Sequence, residues 1–225
     1  GVALTSIENV NLTVTVSDAV VNLGTNVPTT VQDLTVTASN GDAALQATTT
    51  AAGQTYTVTN TNGSTASAVT TSNAANLTVT TGGAADTINF VGGAAATSNS
   101  VNAGAGADTV VLGAATALSG TGNSANGGAN LTGTVDTLTF YSLGATEAVD
   151  FATLISAGDI AGFEAANFVN SNDSAHAITA GTGITRYTVD SDNGNEDFTV
   201  TATAAQAAAI TSLIDTTGTG DFQLT

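Results

Sequence analysis

The sequence repeats a strand-like phrase at a nearly constant interval in its first third. The phrase is a large apolar residue followed by Thr, Val and Thr, and it begins at Leu12, Leu34, Tyr56 and Leu77. A fixed period of about 20–50 residues is typical of stacked repeats, because one repeat cannot bury its own apolar face. Apolar and hydroxylated residues alternate within each phrase, which indicates a strand with one buried face.

A second series runs beside the first with the same period. Its members are evenly spaced, and a β-prone run follows each of them, although the run after the second member is weaker: Asp42, Ser64, Asp86 and Asp108. Each period therefore holds two strands. We predict an all-β, right-handed parallel β-solenoid (a β-helix or β-roll) with coils of about 22 residues and one short helix near the C-terminus.

The pattern divides the chain into two blocks with a connector. Residues 1–143 are predicted to form a solenoid block, in which a Gly/Ser/Asn-rich surface loop at 119–128 lengthens the interval from Asp108 to Asp136 beyond one regular period. Residues 144–161 are predicted to be an irregular connector with a helical turn at 150–155. Residues 162–225 are predicted to be a second solenoid block, with a helix at 204–214 and a last strand at 221–224.

The second block repeats the opening of the first. The segment from Ile7 to Leu12 aligns with the segment from Phe163 to Phe168, which places Glu8 on Glu164. Because the chain begins without Met, we expect it to be a piece of a longer or processed protein.

The charge of the chain excludes several kinds of partner. The 225 residues contain one Lys or Arg against 18 Asp and Glu, a net charge of −17. Such a chain has almost nothing with which to neutralise phosphates, so nucleic acid is excluded as a partner and an anionic membrane surface is disfavoured. No apolar run is long enough for membrane insertion, and the absence of Cys excludes disulfides and thiolate metal sites. Bound cations are the expected way to offset the self-repulsion.

A glycine-rich turn carries the strongest motif for a metal. Residues 103–111 match the nonapeptide G-G-x-G-x-D-x-U-x except for Ala at its first glycine, and residues 81–89 and the segment before Asp136 match it in part. Glycines permit positive φ and expose carbonyl oxygens, and the aspartate adds an anionic oxygen. Two such turns on successive coils can surround Ca²⁺ with oxygen ligands. The predicted calcium ligands here are Gly82, Asp86, Gly104, Gly106, Asp108 and, more weakly matched, Asp136; the alternative is that these are ordinary turns between strands.

An acidic loop is a second candidate calcium site. Residues 190–197 contain four carboxylates and two asparagines around a glycine. The predicted ligands are Asp190, Asp192, Asn193 and Asp197, spaced like the first half of an EF-hand loop but without its final Glu. The alternative is a solvated acidic turn that Arg186 partly offsets.

These turns resemble those of the RTX, or hemolysin-type calcium-binding, family. A Thr/Ala/Gly/Asn-rich, lysine-free composition extends the resemblance along most of the chain. Within the family, the chain is most similar to RTX-type S-layer proteins and large surface adhesins. The resemblance implies export, folding in external calcium and assembly at the cell surface. A tandem run of intact GGxGxD repeats is absent from this chain.

Other function classes have weaker signals. His176 lies near Asp173 and Ser174, but residues so close in sequence seldom form a catalytic triad, and we expect a surface-loop histidine. Cleavage of acidic polysaccharides, which some parallel β-helices perform, usually needs more basic residues than one Arg. The outward Thr columns, Thr13 and Thr15 with their counterparts in the next three repeats, can also match ordered water or a glycan, although Thr is simply a good strand residue.

We therefore predict a non-enzymatic, extracellular structural subunit of a bacterial surface layer. Its cofactor would be Ca²⁺, and its main partner would be itself, in a lattice or filament. Cell-surface polysaccharide is a further candidate partner. The alternative prediction is a module of a large RTX adhesin that binds glycan or ice through its Thr-rich face.

Overall fold

A computed structural model describes most of the chain in short segments separated by gaps. The described residues are 7–14, 19–24, 31–38, 43–48, 55–60, 68–72, 76–90, 98–112, 118, 123–130, 132–141, 148–169, 175–190, 197–216 and 222–225. Asp42, Ser64, Thr15, Asp173, Ser174, Asp192 and Asn193, which the sequence singled out, lie outside these residues.

The described chain is a succession of short strands with two short helices. In chain order these are β1 (Asn9–Val14), β2 (Ala19–Gly24), β3 (Asp33–Ala38), β4 (Ala43–Thr48), β5 (Thr55–Asn60), β6 (Ala68–Ser72), β7 (Asn76–Thr80), β8 (Thr87–Phe90), β9 (Ser98–Asn102), β10 (Thr109–Leu112), β11 (Ser124–Asn126), β12 (Thr137–Tyr141), β13 (Val149–Asp150), α1 (Phe151–Ala157), β14 (Ile160–Ala161), β15 (Ala165–Val169), β16 (His176–Thr179), β17 (Arg186–Asp190), β18 (Phe198–Thr201), α2 (Ala204–Ala209), β19 (Ser212–Asp215) and β20 (Phe222–Leu224).

These strands form three parallel sheets, so the predicted parallel β-solenoid is confirmed. Sheet A has the order β1-β3-β5-β7-β9-β11-β14, and sheet B has the order β2-β4-β6-β8-β10-β12-β15-β17-β19. Sheet C has the order β13-β16-β18-β20. The chain alternates between A and B as far as β12, and after β14 it alternates between B and C. Coils before β12 therefore contribute one strand each to sheets A and B, coils after β14 contribute one each to sheets B and C, and the stretch from β12 to β14 contributes to all three sheets.

The register of the first coil differs from the expected one. Val10 lies opposite Leu34, and Leu12 lies opposite Val36 instead of Leu34. The expected column continues correctly from Leu34 to Tyr56 and Leu77. The slip is two positions, which preserves the alternation of inward and outward side chains, so the core pattern survives it.

The second series is regular only in its later part. Ala44 pairs with Ala68, which is a longer step than the expected period, and Ala68 pairs with Thr87, which is a shorter one. The expected interval applies from Thr87 to Thr109. Loops of unequal length between the strands allow the spacing to vary while the sheet remains parallel.

The residues predicted to be a surface loop contain a strand. Ser124–Asn126 is β11, which pairs with β9 and β14 in sheet A. Asn123 and Ala125 are buried there, and Asn123 Oδ1 accepts a hydrogen bond from the Asn99 backbone N–H at 2.7 Å. The prediction of a loop across 119–128 is therefore wrong at 124–126, because a small residue and a side-chain amide allow this Gly/Ser/Asn-rich stretch to join the sheet.

The predicted helical turn at 150–155 is confirmed as α1. Asp150 is its N-cap and accepts from the Thr153 backbone N–H at 3.0 Å, and Gly158 ends the helix in the left-handed conformation. Sheet B passes directly from β12 to β15 on either side of this connector. The division into two blocks remains a prediction, and one sheet runs through both of them.

The helix predicted at 204–214 is too long. Helix α2 ends at Ala209, and Ser212–Asp215 is the strand β19, paired with β17. A capping box between Thr203 and Gln206 starts the helix. Its end follows from the β-branched Ile210 and Thr211, because the Thr211 backbone N–H donates to Thr185 O at 2.8 Å and so begins the next rung of sheet B.

The core changes in character along the solenoid. Between sheets A and B it consists of Val, Leu, Ile and Ala side chains, such as Val58, Val79 and Ile88. Toward the C-terminus the aromatic residues Phe140, Phe151, Phe168, Tyr187 and Phe198 are fully buried. Neighbouring rings pack face to face or edge to face, with Phe140 and Phe168 stacked at 5.5 Å.

Candidate functional site

Four acidic residues form a column along sheet B, each at the N-terminal end of one of its strands. Asp86, Asp108, Asp136 and Glu164 directly precede β8, β10, β12 and β15, whose first residues are in register. The intervals between successive members are 22, 28 and 28. We call this set the acidic column. Three of its members, Asp86, Asp108 and Asp136, are predicted calcium ligands.

The acidic column links each coil to the next by the same hydrogen bond. The backbone N–H of Asp86 donates to Asp108 Oδ1 at 2.7 Å, and that of Asp108 donates to Asp136 Oδ1 at 2.8 Å. The backbone N–H of Asp136 donates to Glu164 Oε2 at 3.0 Å. Asn130 Nδ2 donates to the same Glu164 oxygen. Each carboxyl thus satisfies a backbone donor of the preceding coil, as an N-cap does at a helix.

Burial makes ionisation of two members of this column, Asp108 and Asp136, unfavourable. Asp86, Asp108 and Asp136 are 1%, 0% and 0% exposed. Burial raises the pKa of Asp108 from 3.8 to about 7, the hydrogen bond from the Asp86 N–H opposes that rise, and the carboxyls of Asp86 and Asp136 add to it. Burial also raises the pKa of Asp136, opposed by the Asp108 N–H and reinforced by Glu164. The second carboxyl oxygens of Asp108 and Asp136 are buried without a hydrogen-bond partner.

The predicted glycine ligands lie in turns that stack on one another. Gly82 O accepts the Ala105 backbone N–H at 2.8 Å, and Gly104 O accepts the Ala129 backbone N–H at 2.9 Å. Gly104 and Gly106 have φ of 93° and 154°. A Cβ on Gly104 would collide with Gly82 O. The glycines are therefore explained by positive φ and by close approach of consecutive coils.

This arrangement does not fit a shared calcium site. Ca²⁺ needs about 6–8 oxygen ligands around one point, whereas the carbonyls of Gly82 and Gly104 and one carboxyl oxygen each of Asp108 and Asp136 already accept backbone N–H groups. Among the described residues, no group of three or more Asp, Glu, His or Cys is placed to hold a metal ion. We derive no calcium chemistry from the acidic column.

The second predicted calcium cluster is only partly described. Asp190 ends β17, and its Oδ1 accepts a hydrogen bond from the Thr216 hydroxyl at 3.1 Å. Asp197 is exposed just before β18, and its backbone carbonyl accepts the His176 N–H at 2.8 Å. Asp192 and Asn193 lie outside the described residues. Calcium at this loop stays a prediction.

His176 is not the surface-loop residue that the sequence predicts. It is 2% exposed at the start of β16, and its ring lies 4.9 Å from that of Phe198. It faces the core because residues of β16 alternate between buried and exposed, with His176 and Ile178 inside. Its surroundings are those of a core residue in sheet C.

Glu164 is the member of the acidic column that sequence analysis missed. Its interval from Asp136 equals that from Asp108 to Asp136, so the spacing contained the signal. The predicted equivalence of Glu8 and Glu164 agrees with their backbone hydrogen bonds. Glu8 O accepts from the N–H groups of Gln32 and Asp33, as Glu164 O accepts from those of Thr185 and Arg186.

No helix in the described part of the chain is long and apolar enough to cross a membrane. Family models, curated proteins and solved structures contain no match to this chain, so its assignment rests on its own sequence and geometry.

Proposed function

We propose that this protein is a structural subunit of a bacterial surface layer, secreted and self-assembled outside the cell. The support is a pair of exposed apolar side chains on edge strands of the solenoid. Leu213 on β19 continues the inward column of Leu138, Ala166 and Tyr187. Those three residues are 0–1% exposed, whereas Leu213 is 37% exposed.

Sheet C ends in the same way. Leu224 on β20 is in register with the buried Ile178 and Val200, and it is 39% exposed. Both leucines lie on edge strands, β19 of sheet B and β20 of sheet C, where a strand of a second copy could cover them. A parallel sheet edge with inward apolar side chains is a template for another strand. This pair of exposed leucines is the observation that carries the proposal.

Calcium enters the proposal through the net charge. A molecule of charge −17 repels its own copies, and divalent cations at exposed acidic loops reduce that repulsion. Sites with Kd of about 10⁻⁴–10⁻³ M would fill outside the cell and not inside it. We assign this role to acids outside the acidic column, such as Asp197, which is exposed just before β18.

The test is calcium-dependent assembly. Wild-type protein at micromolar concentration is expected to form filaments or sheets with calcium and to disperse with a chelator, measured by sedimentation velocity and electron microscopy. Replacing Leu213 and Leu224 by Ser should abolish assembly while circular dichroism shows a folded chain. Tyr141→Ser is the matched control, because Tyr141 is 39% exposed but lies on an internal strand of sheet B.

Two results would contradict the proposal. One is a wild-type protein that stays monomeric in calcium, with a melting temperature that the chelator does not change. The other is equal assembly by the leucine variant and the wild type. Loss of assembly in Tyr141→Ser as well would show that the leucine effect is not specific to the sheet edge.

A specific observation favours an adhesin module as the second candidate. Thr35, Thr57 and Thr78 form one column on sheet A, and Thr37, Thr59 and Thr80 form the next. These six residues are exposed or partly exposed. Thr13 lies opposite Thr37 and not Thr35, so it joins the second column instead of the first. A monomer that binds glycan or ice, and loses binding on Thr57→Val, would favour this function.

A further inference from the structure

The outer face of sheet B carries a groove near its C-terminal end. The groove has a volume of about 550 Å³, within the range of pockets that hold small ligands. Apolar residues, Ile214 among them, line part of it. Its polar side chains come from four adjacent strands: Thr137, Asn167, Arg186, Thr188 and Ser212.

Strand register arranges these side chains in two rows. Thr137, Ala165, Arg186 and Ser212 are mutually opposite across β12, β15, β17 and β19. Asn167, Thr188 and Ile214 form the neighbouring row, two positions further along their strands. Intervening residues such as Tyr187 point into the core, so both rows face outward. Adjacent members of a row are about 4.8 Å apart along the sheet.

Arg186 is the only Lys or Arg in a chain with 18 carboxylates. It is exposed, and it lies in the groove beside Asn167 and Thr188. Glu164 immediately precedes Ala165 on the neighbouring strand, but its carboxylate accepts from Asn130 and from the Asp136 N–H. Arg186 lines the groove, so its positive charge is available to a ligand there.

The other groups around Arg186 suit a polyhydroxylated ligand. Thr188 and Ser212 offer hydroxyls, and the Oδ1 of Asn167 is shielded without a hydrogen-bond partner. Ile214, 46% exposed, provides an apolar wall. A guanidinium fork recognises carboxylate through two parallel hydrogen bonds. Hydroxyls and an apolar wall match the hydroxyls and the C–H face of a sugar ring.

We propose that this groove binds a carboxylated saccharide, with Arg186 holding the carboxylate. An acidic ligand is otherwise repelled by a surface of charge −17, so binding is confined to the one position where a cation is available. The site is separate from the Thr columns of sheet A, and it does not depend on assembly into a surface layer.

The experiment is titration of the protein with trigalacturonate, followed by amide chemical shifts and calorimetry. The neutral, fully methyl-esterified trimer is the ligand control. Wild type should bind the acid saturably, with shifts on β15, β17 and β19, and bind the ester at least about tenfold more weakly, as expected for the loss of charge-assisted hydrogen bonds.

Two variants separate the local contact from the global charge. Arg186→Gln should weaken binding by about tenfold or more, because it removes the charged fork. Ala152→Glu, at an exposed position on α1, produces the same net charge of −18 and should change affinity by less than about twofold at moderate salt. Circular dichroism checks that both variants fold.

Three outcomes overturn the proposal. These are no saturable binding by wild type, equal affinity for the acid and its ester, or equal binding by wild type and Arg186→Gln. If Arg186→Gln instead weakens only self-association of the protein, with no effect of saccharide, the ligand of Arg186 is a carboxylate of a second copy and the saccharide site is wrong.

Discussion

The coils from β8 to β18 are held together in two different ways at two places. At the start of sheet B, the acidic column joins successive coils through hydrogen bonds from backbone N–H groups to buried carboxyls. In the interior, Phe168 contacts Phe140, Phe151 and Phe198 with ring centroids 5.5, 6.3 and 5.6 Å apart. Both regions are shielded from solvent, but only the first is built from carboxyls; the ionisable groups beside the second are Tyr187, which packs on Phe151, and His176, which packs on Phe198.

This comparison indicates which part of the fold responds to pH. Apolar ring packing depends on shape and volume and changes little with pH. A buried carboxyl favours its neutral form. The stability that the hydrogen bonds of the acidic column contribute therefore depends on pH. The same solenoid therefore contains an interior held by ring packing and a column held by buried carboxyls, and the following variants distinguish the two.

The largest effect is expected from Phe168→Ala. Removing a fully buried ring from the centre of the aromatic cluster leaves a cavity and should lower the free energy of unfolding by about 3–5 kcal/mol. Denaturant unfolding measures it, and the loss should be equal at pH 5 and pH 8. Tyr141→Ala, at a residue 39% exposed on the same sheet, is the control and should cost clearly less. A loss below about 1 kcal/mol would contradict the described packing.

The next effect concerns the hydrogen bond across the acidic column. At pH 5, where the carboxyl of Asp108 with its pKa of about 7 is mostly protonated, Asp108→Ala should destabilise the protein by about 2–3 kcal/mol. The cause is the Asp86 N–H, which loses its acceptor inside the protein. Asp108→Asn keeps an acceptor oxygen and should lose less than about 1 kcal/mol. Equal losses of unfolding free energy in both variants would show that this hydrogen bond does not stabilise the protein.

The pH dependence of the wild type follows from the same carboxyl. The folded pKa of Asp108, about 7, lies above its unfolded value of 3.8, so the folded state binds more protons between these values. The contribution of Asp108 to stability is complete below pH 4 and is lost as pH rises through 7, on the order of 2 kcal/mol.

Asp108→Asn supplies the control for this pH effect, because the remaining acids titrate in both proteins. The difference in unfolding free energy between wild type and Asp108→Asn should shift in favour of the variant as pH rises from 4 to 8. A difference that stays constant across this range would show that Asp108 ionises normally.

The smallest effect is local to α1. Asp150→Ala removes the acceptor for the Thr153 N–H and should cost about 1 kcal/mol. Asp150→Asn retains an N-cap side chain and should lose no more than a few tenths of that. Hydrogen exchange of the α1 amides is the most direct readout, and faster exchange in the Ala variant alone is the expected result.

Much of the fold could be predicted from the sequence, because stacked strands repeat both their spacing and their alternation. Alternation predicted Leu34 and Val36 inside and the threonines outside, and it tolerated the two-position slip at Val10. Spacing alone could not predict that slip, since loop lengths vary without changing the face of a strand. The helix predicted through Ile214 failed for a different reason: strand pairing with β17 outweighs the helical pattern beyond Ala209.

The candidate site was harder to predict than the fold. The motif around Asp108 located the right turn, but one motif is compatible both with carbonyls directed at an ion and with carbonyls bonded to the next coil. The outcome depends on how closely the coils approach, and here Gly82 O bonds to the Ala105 N–H. Glu164 was missed because Glu differs from the motif residue, although its extra methylene still reaches the Asp136 N–H.

The central claim is that successive coils stack in parallel with the acidic column in register, and engineered disulfides test it most directly. The chain has no native Cys, and Thr109 lies opposite Thr137 across β10 and β12. The account predicts that Thr109→Cys with Thr137→Cys forms an intramolecular disulfide in the folded protein under mild oxidation. Val111→Cys with Thr137→Cys is offset by two residues along the strand. This pair should not form a disulfide, because its Cα atoms are farther apart than the reach of about 7 Å. Efficient bridging of the offset pair and none of the registered pair would contradict the account.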